Sequence, residues 1–127
     1  GVGAIFVAAT RKASIDAVCL LTGEQYPSLF EDLVITGCHS VLEENIDQET
    51  GEKMVALTGK AFKTDDCWRV MACADKRAVP WSVEGTFTIW HFALENEDPY
   101  VNYGVYANGL LVESASQRFI KEKMKLV

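Results

Sequence analysis

The feature that most constrains the fold is an Asn-Gly pair between two apolar runs near the end of the chain. Asn108-Gly109 separates YGVYA from LLV within Tyr103–Val112. A two-residue type I′ turn requires a positive φ angle at both central positions, and Asn followed by Gly adopts those angles at little steric cost. We therefore predict an antiparallel β-hairpin across this stretch.

Further apolar runs extend the β pattern. Thr86–Leu94 (TFTIWHFAL) alternates in the manner of a strand and places His91 on a mostly apolar face. Shorter runs predict additional strands at Ala4–Thr10, Ala17–Leu21 and Trp68–Ala72. After the hairpin, apolar residues from Phe119 to Val127 recur at helical spacing. We therefore expect a mainly β fold with a short C-terminal α-helix.

The stretch Val34–Leu42 (VITGCHSVL) predicts a buried strand that is interrupted at Gly37. A glycine inside a strand often marks a bulge or a close approach of another backbone. A bulge would let Thr36 and His39 converge on one backbone amide, which the hydroxyl and the imidazole could bind. The imidazole could then donate a proton to a leaving amine. The structural alternative, which holds equally for His91, is a core histidine whose ring is satisfied by a neighbouring carbonyl.

Two polar stretches predict loops. Glu43–Lys53 (EENIDQETGEK) is rich in carboxylates and predicts a solvent-exposed loop. Met54–Leu57 and Lys60–Lys63 are weak strand candidates beyond it. Asp75–Trp81 predicts a second loop, because Pro80 lacks the N–H that a central strand needs.

Length and charge limit the classes of function. A chain of 127 residues forms one domain and can bury a core without a metal or disulfide staple. The net charge of −6 argues against nucleic acid and against an anionic membrane surface as partners. No run approaches the roughly 20 apolar residues of a membrane span, and the N-terminus lacks the basic region of a signal peptide. Gly1 in place of an initiator Met suggests a processed product or a piece of a longer chain.

The four cysteines do not form a zinc pattern, because no CxxC pair is present. Their setting predicts reduced and mostly buried thiols, at Cys19, Cys38, Cys67 and Cys73. A metal bound by Cys38, His39 and His91 is an alternative, but a chain this rich in core-forming residues has no need of one. We expect neither a metal nor a cofactor. A hydrolase that acts on other molecules is a further alternative. The sequence contains no GxSxG motif and no convergent pair of carboxylates, so its catalytic pair would be Cys19 with His39 or His91.

Two motifs together resemble the Hint superfamily, the autoprocessing domains of inteins and hedgehog proteins. Thr36-Gly37-Cys38-His39 matches the TxxH motif of that family. A late block, TIWHFALENEDPYVNYGVYANGLLVES, is similar to its succession of strand, acidic turn, strand and hairpin. The chain also looks like Hint-like proteins of large DNA viruses. The resemblance covers residues 34–116 and implies one compact Hint-like domain over residues 1–127, in an intracellular or virion-associated protein.

The resemblance implies a chemistry and the residues that perform it. In the family, an N-terminal Cys or Ser attacks the preceding carbonyl, and the peptide bond shifts to a thioester or an ester. Carried over, Thr36 orients the scissile bond and His39 protonates the leaving amine. His91 falls where many members carry an aspartate or a cysteine that assists the rearrangement. The expected partner is then the rest of the domain's own precursor.

Both ends of the chain depart from the family pattern. The chain begins with Gly1 rather than Cys or Ser, while Ser14 and Cys19 lie on segments that fit later strands. Glu113-Ser114 stands where inteins carry the His-Asn pair whose asparagine cyclises. We therefore expect a domain that lacks its first strand and its nucleophile and cannot splice as written. It would cleave itself at an upstream junction once the missing segment is supplied in cis or in trans.

An alternative from another class is a Hint-like domain that has lost its chemistry. Such a domain would serve as a structural or assembly module, for example in a viral particle, and would bind protein partners. Five aromatic residues could supply its contact surface, at Trp81, Trp90, Tyr100, Tyr103 and Tyr106.

Overall fold

The structure of the protein is a computed structural model that describes residues 5–12, 18–81, 87–94, 98, 100 and 102–114. For residues 5–12 and 87–94 it describes the backbone alone. Over these residues it contains ten strands and one α-helix. They are β1 (Ile5–Lys12), β2 (Val18–Leu21), β3 (Leu33–Thr36), β4 (Ser40–Glu43), α1 (Gln48–Thr58), β5 (Lys63–Thr64), β6 (Cys67–Met71), β7 (Val79–Pro80), β8 (Phe87–Leu94), β9 (Gly104–Ala107) and β10 (Leu110–Glu113). The mainly β class is therefore confirmed. The predicted C-terminal helix lies outside the described residues.

The predicted hairpin is confirmed as β9 and β10. Asn108 and Gly109 have φ angles of 49° and 92°, and Ala107 pairs with Leu110 on either side of them. The turn also anchors the loop that precedes β3. Phe30 N–H donates to the Asn108 carbonyl at 3.1 Å, and Asn108 Nδ2 donates to the Asp32 carbonyl at 3.1 Å. One Asn-Gly pair thus fixes both the hairpin and a loop that lies 76 residues away in sequence.

The described strands form three antiparallel groups. β1 pairs with β8 along eight residues, from Ile5 opposite Leu94 to Lys12 opposite Phe87. A second group has the order β3-β2-β7, and its short edge strand β7 contains Pro80 where the missing N–H is tolerated. The third has the order β5-β6-β4-β10-β9.

The five-stranded sheet curls into a half-barrel. Asp65, in the turn between β5 and β6, accepts a hydrogen bond at 2.6 Å from the N–H of Gly104, on the strand at the opposite edge. The hydrophobic core packs between this sheet and β2 and β3. Its most buried members are Leu21, Tyr26, Val41 and Ala72. Both sheets therefore contribute to one core.

The α-helix α1 corrects two predictions. The exposed loop predicted at Glu43–Lys53 and the strand predicted at Met54–Leu57 are wrong, since Gln48–Thr58 is helical. Asp47 is the N-cap, and its Oδ1 accepts from the Thr50 N–H at 2.8 Å. Gly59 ends the helix in the left-handed conformation at φ 86°. The helix buries only one side chain deeply, so the pattern of apolar residues that normally indicates a helix is weak.

Candidate functional site

The TGCH segment is a tight turn between two sheets. The His39 N–H donates to the Thr36 carbonyl at 3.0 Å, which closes a four-residue β-turn between β3 and β4. β3 and β4 belong to different sheets. The single bulged strand predicted at Val34–Leu42 is therefore wrong, because the chain changes sheet at Gly37 instead of passing through one sheet with an extra residue.

The segment Ala72–Ala74, a short 3-10 helix, holds this turn from the other side. The Ala72 N–H donates to the His39 carbonyl at 2.9 Å, and the Cys73 N–H donates to the Gly37 carbonyl at 2.9 Å. A Cβ placed on Gly37 would lie 3.3 Å from the Cβ of Cys73. Gly37 therefore marks a close approach of another backbone, which is one of the two features that a glycine at this position predicts. The backbone of the turn is therefore held at the carbonyls of Gly37 and His39.

Thr36 is buried at the start of the turn. The residue is only 8% exposed. Its Oγ1 lies 3.6 Å from the Sγ of Cys38, which is within hydrogen-bonding range for sulfur. Its backbone pairs with Val18 of β2. The hydroxyl is therefore oriented inside the turn itself.

His39 is half-buried at the end of the turn. Burial lowers the pKa of its imidazole, and a hydrogen bond to the backbone of Glu113 opposes that effect. Because the bond favours the protonated form, the acceptor is the Glu113 carbonyl. The pairing of Val41 with Val112 in antiparallel strands independently brings His39 to the end of β10. Because burial lowers its pKa, the imidazole favours the neutral form, which can accept a proton.

The turn brings Thr36 and His39 together through their backbones but gives their side chains different partners. The hydroxyl contacts Cys38, whereas the imidazole contacts Glu113. His91 lies in β8 opposite Ala8, and its side chain is outside the described residues, so its predicted role stays a prediction. Of the three candidates, two therefore share one described site.

Residues at the end of β10 complete this site, and sequence reasoning missed most of them. The Ser114 hydroxyl accepts from the Tyr103 N–H at 3.0 Å, and the Ser114 N–H donates to the Tyr103 carbonyl at 2.7 Å. The carboxylate of Glu113 accepts from the Thr64 hydroxyl at 2.6 Å and forms an ion pair with Arg69. No local sequence signal links Thr64 to Glu113, because they are 49 residues apart.

The cysteines correct one prediction. All four are free, but only Cys19 is buried, whereas Cys38 and Cys73 are exposed and Cys67 is intermediate. The prediction of mostly buried thiols is wrong, since two of them lie on the turn and on the short helix that supports it. Burial, together with the neighbouring Cys73, raises the pKa of the Cys19 thiol. Within the described ranges no group of three or more His, Cys, Asp or Glu could hold a metal ion.

A second polar cluster has all its charges paired. Arg77 donates to Asp75 through Nε at 3.0 Å and Nη2 at 2.8 Å, and to Glu43 through Nη2 at 2.6 Å. Its guanidinium lies 4.3 Å from the ring centroid of Tyr26. Although burial opposes it, hydrogen bonding to Arg77 holds the pKa of Asp75 below its ordinary value. Burial and the Asp75 carboxylate raise the pKa of Tyr26. Because each charge has an internal partner, we assign this cluster to stability.

Among the described residues, an apolar groove and a pair of aromatic side chains are exposed. A groove of about 540 Å³ lies between α1 and Trp68 and is lined mainly by apolar side chains, including Ile46, Val55 and Ala61. Near the Asn108-Gly109 turn, Phe30 is 77% exposed, and Tyr106 on β9 is 76% exposed. Among the described residues, no helix has the length and apolar character that crossing a bilayer requires.

No protein-family model, no curated protein and no solved structure matches this chain. By its fold and its candidate site, the protein is a mainly β domain that carries a half-buried histidine on a turn between two sheets.

Proposed function

We propose that this domain cleaves a peptide bond at an upstream junction of its own precursor through an N–S or N–O acyl shift. The observation that carries the proposal is the position of His39 on a hydrogen-bonded turn beside Thr36, at the end of β10. Burial lowers the pKa of its imidazole, which suits the same role. The resemblance of TGCH to the Hint TxxH motif supports the same assignment. The nucleophile would be a Cys or Ser in the missing segment that precedes Gly1, and that segment would be supplied in cis or in trans.

The proposed step needs one proton carrier, and a neutral imidazole suits it. His39 accepts the proton of the thiol or hydroxyl while the sulfur or oxygen attacks the preceding carbonyl carbon and a C–S or C–O bond forms. The C–N bond then breaks, and the imidazolium returns the same proton to the leaving amine nitrogen. The net proton count is unchanged, and the acyl group now sits on the side-chain sulfur or oxygen of the nucleophile. Water, or added hydroxylamine, then attacks this thioester or ester, the C–S or C–O bond breaks, and the upstream fragment is released. Thr36 orients the scissile bond through its hydroxyl, and His91 assists the rearrangement.

A structural module is the second candidate, and the exposed aromatics favour it. Phe30 and Tyr106 are both more than three-quarters exposed. A Cβ on Gly109 would lie 3.2 Å from the Phe30 ring, so Phe30 is at the hairpin turn that β9 enters. Large exposed aromatic side chains of this kind are enriched at protein interfaces. This candidate predicts an intact precursor.

The experiment is the intact mass of a precursor that includes the segment before Gly1, with and without hydroxylamine. We expect an upstream fragment that ends at the residue before a Cys or Ser, and we expect it to form faster with hydroxylamine because the reagent cleaves thioesters and esters. His39→Gln should lower the cleavage rate at least about 100-fold, the scale of a lost general acid–base catalyst. The matched control, Gln25→Ala on an exposed loop, should cleave as the parent does. A precursor that stays uncut in both conditions, or a His39→Gln variant that cleaves normally, contradicts the proposal.

A further inference from the structure

Three side chains from three strands form a closed polar triangle beside the turn. Arg69 of β6 donates from Nε to the Thr64 hydroxyl at 2.6 Å, and that hydroxyl donates to Glu113 Oε2 at 2.6 Å. Arg69 also forms an ion pair with the same carboxylate. Thr64 is 5% exposed, and the side chains of Arg69 and Glu113 are 29% and 17% exposed. Partial burial and a shared network make this arrangement more rigid than an exposed ion pair.

Glu113 connects the triangle to His39. Its side chain is held by the triangle, while its backbone carbonyl interacts with the His39 imidazole. A carbonyl that accepts from one ring nitrogen fixes which nitrogen carries the proton and how the ring is turned. Movement of β10 at Glu113 would therefore change the tautomer and orientation of His39 without touching the ring directly.

We infer that Arg69 and Thr64 are positioning residues, which hold the end of β10 so that the Glu113 carbonyl fixes the tautomer of His39. The part of this inference that concerns catalysis rests on the proposed function. The part that concerns the imidazole does not, because it can be measured on the chain itself. A positioned general base requires both the correct tautomer and the correct direction.

A simple charge effect makes the opposite prediction. If Arg69 acted on His39 only through its positive charge, Arg69→Met would raise the pKa of His39, because a nearby cation opposes the imidazolium. If Arg69 acts by positioning, the same variant weakens a hydrogen bond that favours the imidazolium, and the pKa of His39 falls. The other titratable groups on the turn, on the short helix bonded to it and at the end of β10 are the thiols of Cys38 and Cys73 and the Glu113 carboxylate. Thr64→Val changes no charge and isolates the positioning effect.

The experiment is an NMR pH titration of the imidazole ¹⁵N and Cε1–H signals of His39, assigned by their loss in His39→Gln. We expect Arg69→Met and Thr64→Val to lower the pKa of His39 and to shift its tautomer ratio about threefold, the scale of one weakened hydrogen bond. Arg69→Lys, which retains a cationic donor, should restore most of the parent ratio. Two controls should leave His39 unchanged: Thr58→Val, whose hydroxyl donates to Met54, and Lys76→Met, an exposed cation paired with Asp47.

The outcomes separate the two proposals. A raised pKa of His39 in Arg69→Met, or an unchanged tautomer ratio in Thr64→Val with a native amide spectrum, overturns the positioning role. On the precursor, the same two variants should slow formation of the hydroxylamine-sensitive product. If the parent precursor does not cleave, the proposed function fails, while the titration still decides whether Arg69 and Thr64 set the state of His39.

Discussion

Gly109 offers a sharp test of how the hairpin turn stabilises the fold. Its φ of 92° lies in the region that disfavours a side chain, and a Cβ there would lie 2.4 Å from the backbone carbonyl oxygen of Ser28. Gly59 is a matched control, because it has φ 86° but no atom within 4 Å of its would-be Cβ. The two glycines share a conformational requirement and differ in what surrounds them.

The magnitudes follow from this difference. Gly59→Ala carries only the cost of a left-handed backbone for a residue with a Cβ, about 1 kcal/mol. Gly109→Ala carries the same cost and also forces the Ser28 backbone away. Displacing that loop loses the hydrogen bonds from Phe30 to Asn108 and from Asn108 to Asp32, at about 1 kcal/mol each. We therefore expect Gly109→Ala to lower the free energy of unfolding by about 3 kcal/mol.

The assay is urea unfolding followed by tryptophan fluorescence, with the free energy of unfolding extrapolated to water. A loss of about 3 kcal/mol is large against the typical 5–15 kcal/mol of a domain, so the two variants should separate clearly. The slope with urea should stay that of the parent if the native fold is kept. Equal losses in Gly109→Ala and Gly59→Ala would refute the reasoning, because the contact with Ser28 would then contribute nothing.

Two further predictions concern titratable groups. In the native protein we expect iodoacetamide to label Cys38 and Cys73 well before Cys19, because Cys19 is buried and the pKa of its thiol is raised. Peptide mass mapping measures the labelling, and labelling of Cys19 at the same rate would contradict its burial. Because the pKa of Asp75 is lower in the folded state, its stabilisation is present above the ordinary value of 3.8 and is lost as the pH falls through the native pKa. Asp75→Asn should therefore reduce stability at pH 7 and flatten the acid side of the stability curve, whereas Glu24→Gln on an exposed loop should not; parallel curves for Asp75→Asn and the parent would exclude the linkage.

The parts of the fold that the sequence predicts are those fixed by local chemistry. Asn108-Gly109 specifies its turn because few other residue pairs adopt two positive φ angles. The strand predicted at Thr86–Leu94 corresponds to β8, and the run at Trp68–Ala72 to β6, because alternation and β-branched or aromatic residues extend over several residues. In each case the information lies within ten residues of the element itself.

The helix α1 was missed although two signals for it are present. Asp47 has the side chain of an N-cap, and Gly59 has the freedom of a helix-ending glycine. Between them, Gly51 and a polar composition suggested a loop, and Met54 is the single deeply buried side chain of the helix. A helix that buries so little has only a weak apolar periodicity. Its two ends, rather than its interior, indicated its presence.

The candidate site was predictable in its residues but not in its geometry. Four consecutive residues suffice to place Thr36 and His39 in one candidate site, whose role stays a prediction, but the β-forming residues on both sides of TGCH conceal the change of sheet at Gly37. The carbonyl that His39 meets comes from β10, and the groups that hold Glu113 come from β5 and β6. The bond from Thr64 to Glu113 joins strands that are not neighbours in the sheet, and the bond from Gly104 reaches Asp65 in the turn between β5 and β6, so both depend on the curl of the sheet. The state of the imidazole is therefore a property of the assembled half-barrel, and changes in Arg69 or Thr64 should alter it even though neither residue belongs to the motif.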